Sequence, residues 1–167
     1  MAKVQYMSEF FYPTLKRVEA LEPWTLRTIW STGETLDVDL SNLFKRKAFA
    51  EIRQPEVFKK VHLHQRCIQW FDAELSPDNV YAWAKEQSGA VSHEMFGEWL
   101  SRNALSLTTA ASALGISRRM VSYYKTATKP IPRAIWLACL GWEITKPTHS
   151  LPKELPSSRE YAALRAA

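Results

Sequence analysis

The sequence predicts an α+β domain, with a small antiparallel sheet and short helices, followed by an all-α domain. Apolar residues alternate with period two between Trp24 and Leu40, as they do in half-buried strands. Beyond Ser92 they recur every three or four residues, as in helices with one core-facing side. The change of period along the chain therefore predicts two kinds of domain.

Composition and an interruption of the apolar pattern indicate the number of domains and their boundaries. With 167 residues, 46% of them hydrophobic and 23% charged, the chain has the make-up of a folded protein of one medium or two small domains. Residues 85–90 have no apolar period and contain a glycine. We therefore predict domains at 1–88 and 89–146, followed by a proline-rich tail at 147–167 that ends in a short helix.

A β-hairpin is the first predicted element. Its first strand, Trp24–Trp30, would place Trp24, Leu26, Thr28 and Trp30 on one face. Gly33 lies in the turn, and the second strand is Thr35–Leu40. The other elements predicted for the first domain are a short helix capped by Ser41, a second with Pro55 in its first turn, strands over Val61–Leu63 and Cys67–Phe71, and a helix that starts at Ser76-Pro77-Asp78.

Three helices with recognisable ends begin the second domain. The first starts near Ser92, and Ser106 and Ser117 are suitable N-caps for the next two. Gly115 supplies the short turn between the second and third helices. Two helices joined in this way are typical of a helix-turn-helix. The later helix of that motif, here the third predicted helix, enters the major groove of DNA.

The predicted third helix has a buried and a basic face. Val121 and Tyr124 are three residues apart and are expected to face inward. Arg118 and Arg119 lie outside at its N-terminus, where arginine can bond guanine bidentately or contact phosphate.

The positive charge is concentrated in the second half of the chain. Residues 1–90 hold 12 Lys and Arg against 12 Asp and Glu, whereas residues 91–167 hold 10 against 5, which accounts for the formal charge of +5. No acidic residue occurs from Trp99 to Trp142, a stretch with six basic ones. Such a segment indicates a polyanionic partner, such as nucleic acid or an anionic membrane.

The same residues resemble a known family. Leu105–Ser117, followed by Val121-Ser122, is similar to the λ-repressor-like (XRE-type) helix-turn-helix, with a small residue at Ala111 and a turn at Leu114-Gly115-Ile116-Ser117. Lys129–Ala138 is similar to the family's next helix, and the resemblance covers Ser92–Trp142. It differs in having Leu107 where many members have glutamine, and Thr126-Ala127-Thr128 where many have a glycine.

The first domain resembles a family of small bacterial domains of unknown function. Val18-Glu19-Ala20, the hairpin at Gly33, Ile68-Gln69-Trp70 and Leu75–Asp78 carry this resemblance, which covers residues 12–84. Members are often tied to helix-turn-helix domains or to toxin–antitoxin-like operons, and the resemblance names no activity.

We therefore predict a bacterial protein that binds double-stranded DNA sequence-specifically and regulates transcription as a homodimer. The first domain is the expected site of dimerisation or sensing. An antitoxin-like protein is the alternative, which binds a small toxin-like protein through residues 1–88 and represses its own operon. The candidate DNA-binding residues are Ser106, Thr108, Ser117, Arg118, Arg119, Ser122, Tyr123, Lys125, Lys129 and Arg133.

Enzymatic chemistry has weaker support. His62 and His64 would share a strand face near Cys67, but no zinc signature is complete. Asp37 and Asp39 also share a face, and such pairs are more often solvated than catalytic. We expect a non-enzyme without cofactor or metal. Trp24 and Trp30 are candidates for an exposed partner surface as well as for the core.

The sequence leads us to expect no membrane span and no signal peptide. It has no apolar run of about 18 residues, and its N-terminus lacks the basic and apolar regions of a signal peptide. The two cysteines, Cys67 and Cys139, form no disulfide framework and are expected to be buried. A cytoplasmic protein without a membrane partner is expected.

Overall fold

The structure is a computed structural model that describes residues 12–145 and Ser157. Its strands are β1 (Leu15–Leu21), β2 (Thr25–Trp30), β3 (Thr35–Asp39), β4 (His62–His64), β5 (Cys67–Trp70) and β6 (Ala73–Leu75). Its α-helices are α1 (Pro55–Phe58), α2 (Pro77–Gln87), α3 (His93–Arg102), α4 (Leu107–Leu114), α5 (Arg118–Lys125) and α6 (Arg133–Ile144). Three 3-10 helices lie between β3 and α1, at Ser41–Lys45, Lys47–Phe49 and Glu51–Arg53.

The first sheet confirms the predicted hairpin. It has the antiparallel order β1-β2-β3, with Leu26 opposite Val38 and Thr28 opposite Leu36. Thr28 is fully buried, and its hydroxyl accepts a hydrogen bond from the Trp30 indole nitrogen (2.9 Å) and donates one to the Leu36 carbonyl (2.8 Å). These two hydrogen bonds satisfy the Thr28 hydroxyl, which is the only hydroxyl group on this inner face of β2.

The two tryptophans of the hairpin belong to the core. Trp30 is 2% exposed, so the expectation that it lines an exposed patch is wrong. Trp24 packs edge-on against Phe44 and Phe58, with ring centroids 5.3 and 5.7 Å apart. Trp24 is thus held by the 3-10 and α-helical segment that follows the sheet, whereas Trp30 packs edge-on against Tyr81 of α2, with ring centroids 4.8 Å apart.

The second sheet is separate from the first. It has the antiparallel order β4-β5-β6, and β5 buries Ile68 and Trp70. The Trp70 indole nitrogen donates to the Phe58 carbonyl (2.9 Å), which ties the sheet to the end of α1. The strands predicted around 61–63 and 67–71 are thus confirmed, whereas β1 and β6 were not predicted.

Of the two helix starts predicted between the sheets, the one at Pro55 is confirmed and the cap at Ser41 is wrong. Pro55 is the first residue of α1, as predicted. Ser41, however, is the first residue of its 3-10 helix, and Leu40 precedes it without a side-chain cap. The Ser41 hydroxyl instead bonds the Asp39 carboxylate at the end of β3, because that acceptor lies two residues back.

Helix α2 joins the first sheet to the helical region. The Tyr81 hydroxyl donates to Glu34 Oε2 (2.7 Å), and the Lys85 ammonium pairs with Oε1 of the same carboxylate. Near its end, Gln87 Nε2 donates to the Asp39 carbonyl (2.9 Å). These contacts fix α2 along β3.

A second core lies in the helices after α2. Its fully buried side chains are Phe96, Ala110, Val121 and Cys139, which come from four different helices. The Trp99 indole nitrogen donates to the Cys139 carbonyl (3.0 Å), so α3 and α6 are linked through a buried hydrogen bond. The fold is therefore an α+β domain followed by a helical domain, as predicted.

Two further expectations concern the C-terminal tail and the absence of a membrane-spanning helix. The predicted tail at 147–167 lies outside the described residues, apart from Ser157. Within the part of the chain that the structure describes, no helix has the length and apolar character needed to cross a membrane.

Candidate nucleic-acid interface

Helices α4 and α5 are joined by a turn that the local sequence dictates. Ser106 caps α4 by accepting from the Thr109 amide (3.1 Å), while the Thr109 hydroxyl accepts from the Ser106 amide (2.9 Å). This reciprocal capping box satisfies backbone donors at the helix start. Gly115 ends α4 at a φ of 66°, in the left-handed region that glycine adopts without steric cost.

The following helix, α5, is fixed by its cap and by two inward side chains. Ser117 accepts a hydrogen bond from the Met120 amide (3.2 Å). Val121 and Tyr124 are buried, and the Tyr124 ring packs edge-on against Phe96 of α3 at 5.8 Å. These contacts determine which side of α5 faces the solvent.

The solvent side of α5 carries the predicted basic residues. Arg118, Arg119 and Lys125 are exposed, and Ser122 and Tyr123 are half-buried. Within residues 12–145, no carboxylate oxygen lies within the 4.0 Å of an ion pair from these cations, in contrast to Arg102, which pairs with Glu98 at 3.9 Å. The positive charge of α5 is therefore not neutralised by the described part of the chain.

Tyr123 contacts two basic side chains, those of Arg119 and Lys129. Its hydroxyl accepts a hydrogen bond from Arg119 Nε, and the Arg119 guanidinium carbon lies 5.1 Å from the centroid of the ring. Lys129 Nζ lies 5.6 Å from the same centroid. Cation–π attraction and the hydrogen bond thus hold Arg119 and Lys129 close to one aromatic ring. The sequence spacing of six between Tyr123 and Lys129 did not predict this contact.

The loop after α5 keeps the geometry of a glycine turn without a glycine. Ala127 has a φ of 55°, and the Thr128 amide donates to the Tyr123 carbonyl (2.9 Å). Together with the bond from the Ala127 amide to the Tyr124 carbonyl (3.3 Å), this is a Schellman motif. The departure from the family pattern at 126–128 therefore changes the residue at the turn while its left-handed conformation is kept.

This loop also makes contacts between the two domains, in addition to those of Ser92 with Glu86 and of His93 with Tyr81. The Ala127 side chain is buried in the core of the first domain, and the Tyr12 amide donates to the Thr126 carbonyl (2.8 Å). Sequence reasoning missed this positioning role, because neither residue belongs to a periodic pattern.

The remaining predicted residues lie around this helix. Thr108 is exposed in the first turn of α4, and Arg133 is exposed as the first residue of α6. Ser106 and Ser117 are occupied as helix caps; the Ser106 hydroxyl also lies 3.0 Å from the Thr109 hydroxyl, whereas the Ser117 hydroxyl keeps its hydrogen as a donor.

Two alternative sites were considered from the sequence: a metal site at His62, His64 and Cys67, and the carboxylate pair of Asp37 and Asp39. Among residues 12–145 and Ser157, no group of three or more His, Cys, Asp and Glu side chains is arranged to hold a metal ion. Burial, together with Glu74, raises the pKa of the Cys67 thiol to about 11. Asp37 accepts two hydrogen bonds from Arg27 (2.9 and 2.8 Å), and Asp39 contacts Ser41.

The fold and this surface define a class: an α+β domain followed by a helical domain with an exposed basic helix. Residues 15–86 match the family described as a protein of unknown function, DUF2442. The chain is also similar to the crystal structure of "putative DNA binding protein NE0471" from Nitrosomonas europaea, with 61% sequence identity and a TM-score of 0.82. That match covers 90% of this chain and 100% of the other.

The chain belongs to the same family as the Nitrosomonas protein and has an N-terminal DUF2442 domain. The expected relation of the first domain to a family of unknown function is thus confirmed. No curated protein matches the chain.

Proposed function

We propose that the chain is a DNA-binding protein and not an enzyme, and that α4 and α5 act as a λ-repressor-like helix-turn-helix in a bacterial transcriptional regulator. The observation that carries this proposal is the exposed face of α5, where Arg118, Arg119 and Lys125 lie next to a tyrosine that holds a further lysine.

The charges of this face suit a duplex backbone. A protein that places several uncompensated cations along a phosphate backbone gains free energy by releasing condensed counterions. The stretch from Trp99 to Trp142 contains no acid that would repel phosphate. Lys125, Lys129 and Arg133 are the proposed backbone contacts.

The N-terminal turn of α5 is the proposed base-reading part. Arginine forms two parallel hydrogen bonds with the O6 and N7 atoms of guanine in the major groove. Arg118 and Arg119 occupy the first turn of α5, which is the part of a recognition helix that approaches base edges. The hydrogen bond from Arg119 to Tyr123 limits the rotamers of that arginine before DNA binds.

The Nitrosomonas protein supports the same assignment, because it is described as a "putative DNA binding protein" and is 61% identical in a match that covers 90% of this chain.

The test is a double variant, Arg118→Ala with Arg119→Ala, in fluorescence anisotropy with labelled duplex DNA at several salt concentrations. Each lost phosphate contact lowers the slope of log K against log salt by about 0.9. We expect weaker binding by at least tenfold, and a lower slope if the arginines contact phosphate. Arg46→Ala with Arg53→Ala removes the same charge from exposed positions of the first domain and is the matched control.

Two outcomes would overturn the proposal. One is an unchanged affinity and slope in the Arg118/Arg119 variant. The other is an equal loss in the control, because net charge alone would then explain binding. Selection of bound sequences from a random duplex pool tests specificity: a common motif is expected, and its absence would reduce the function to nonspecific binding.

A further inference from the structure

The loop between α5 and α6 is held by the first domain where it begins. Ala127 is 9% exposed. It shares a hydrophobic core with Leu15, Trp30 and Tyr81 of the first domain. The carbonyl of the preceding residue, Thr126, accepts a hydrogen bond from the Tyr12 amide (2.8 Å). The first domain therefore contacts this loop through one side chain and through the backbone.

The far end of the loop is held inside the helical domain. Ile131 forms an isolated antiparallel bridge with Val91, which precedes α3, and its side chain is buried in the second core. Between the two ends, the amides of Thr128 and Lys129 both donate to the Tyr123 carbonyl of α5 (2.9 and 3.3 Å). The path of the loop thus depends on both domains.

This loop carries one of the proposed phosphate contacts. Lys129 is exposed, and its Nζ lies 5.6 Å from the centroid of the Tyr123 ring. Arg119 lies against the same ring. A displacement of the loop therefore moves Lys129 away from the ring and away from a phosphate placed beside it.

Alanine at position 127 is unfavourable for the turn alone. Its φ of 55° lies in the left-handed region, which glycine adopts without steric cost. Helix α4 ends in the same conformation at Gly115, and α3 ends at Ala104 with a φ of 51°. Ala104 is exposed, whereas the methyl group of Ala127 is buried in the core of the other domain. This methyl group makes a contact between the domains that glycine would lack.

We propose that Ala127 is a positioning residue for DNA binding. Its methyl group, buried in the first domain, fixes the loop that presents Lys129 to a phosphate. The inference rests on the proposed function, in which Lys129 is a backbone contact. A displacement of the first domain is transmitted to Lys129 through this loop, so the first domain acts on DNA affinity.

The first test is amide hydrogen exchange of the full chain, measured by NMR without DNA. Ala127→Gly relieves the strained turn but removes the methyl group. We expect exchange at Thr128 and Lys129 to become about five- to tenfold faster, because the loop opens more often. Ala104→Gly makes the same change at an exposed left-handed helix end and should leave these two amides unchanged.

The second test is fluorescence anisotropy with labelled duplex DNA at several salt concentrations. One phosphate contact contributes about 0.9 to the salt slope, which at 0.1 M salt corresponds to about an eightfold change in affinity. Ala127→Gly should weaken binding about three- to eightfold and lower the slope towards that of Lys129→Ala. Combined with Lys129→Ala, it should cause no further loss, because both changes remove the same contact.

Two results would overturn the proposal. One is wild-type or slower exchange at Thr128 and Lys129 in Ala127→Gly, as expected if the residue serves the turn alone. The other is a loss of DNA affinity that leaves the salt slope unchanged or adds fully to that of Lys129→Ala. The exchange measurement needs no DNA, so a chain that binds no duplex refutes the proposed function, while exchange still decides whether the first domain holds the loop.

Discussion

Ala104 occupies a helix end where glycine is expected to be more stable. The Ala104 amide donates to the Ser101 carbonyl (3.0 Å) and the Leu105 amide donates to the Leu100 carbonyl (2.9 Å). These two bonds form the Schellman motif that ends α3. The residue in its left-handed position has a φ of 51°, which costs a side chain with a Cβ about 1–2 kcal/mol.

The expected effect of Ala104→Gly follows from two opposing terms. Glycine removes the steric cost, but it also has more conformations in the unfolded chain, which offsets about 0.4–1 kcal/mol. Ala104 is exposed, so no packing is lost. We expect a net stabilisation of about 0.5–1 kcal/mol, and a rise in Tm of about 1–4 °C for a chain of this size.

Thermal unfolding followed by circular dichroism, with urea unfolding as a second measure, tests this value. Ala48→Gly is the matched control, because Ala48 is exposed and lacks a positive φ; it should lower the free energy of unfolding. Gly115→Ala, at the equivalent position of α4, should lose about 1 kcal/mol. A fall in Tm for Ala104→Gly similar to that of Ala48→Gly would refute the reasoning.

Two further predictions concern Glu94 and Tyr123. Burial, together with Asp78 and Glu86, raises the pKa of Glu94 from 4.5 to about 6, so its contribution to stability is complete below pH 4.5 and is lost as the pH rises through 6. Glu94→Gln should therefore unfold at higher urea than wild type at pH 7 and at equal urea at pH 4; an equal difference at both pH values would contradict this. Tyr123→Phe removes the acceptor for Arg119 and should weaken DNA binding about two- to tenfold without changing the salt slope, since no charge is lost. Unchanged affinity in the anisotropy assay would count against a role for that hydrogen bond.

Elements with local signals were predictable from the sequence. The β2–β3 hairpin follows from alternation and a glycine turn, α3 follows from its apolar spacing, and α4 and α5 follow from a serine cap before each helix. Each signal lies within a few residues of the structure it causes. The same holds for the basic face of α5, because Val121 and Tyr124 determine which side is inward.

The missed strands lack such signals. In β1, Lys16 and Arg17 are adjacent and the register with β2 shifts between Leu15 and Arg17, so no clean alternation exists. Its strand conformation comes from pairing with β2. Strand β6 has three residues and follows β5 after a two-residue turn, which is too short for a period to be recognised.

The sequence by itself determined the fold class, the helix ends of the second domain and the position of its positive charge, because these depend on neighbouring residues. Only the tertiary structure decided that Ala127 packs into the first domain and that Lys129 lies against Tyr123. It also decided which side of α6 is covered. An apolar pattern shows that a helix has faces to bury, but contacts between distant residues determine which face is buried within the chain and which remains exposed.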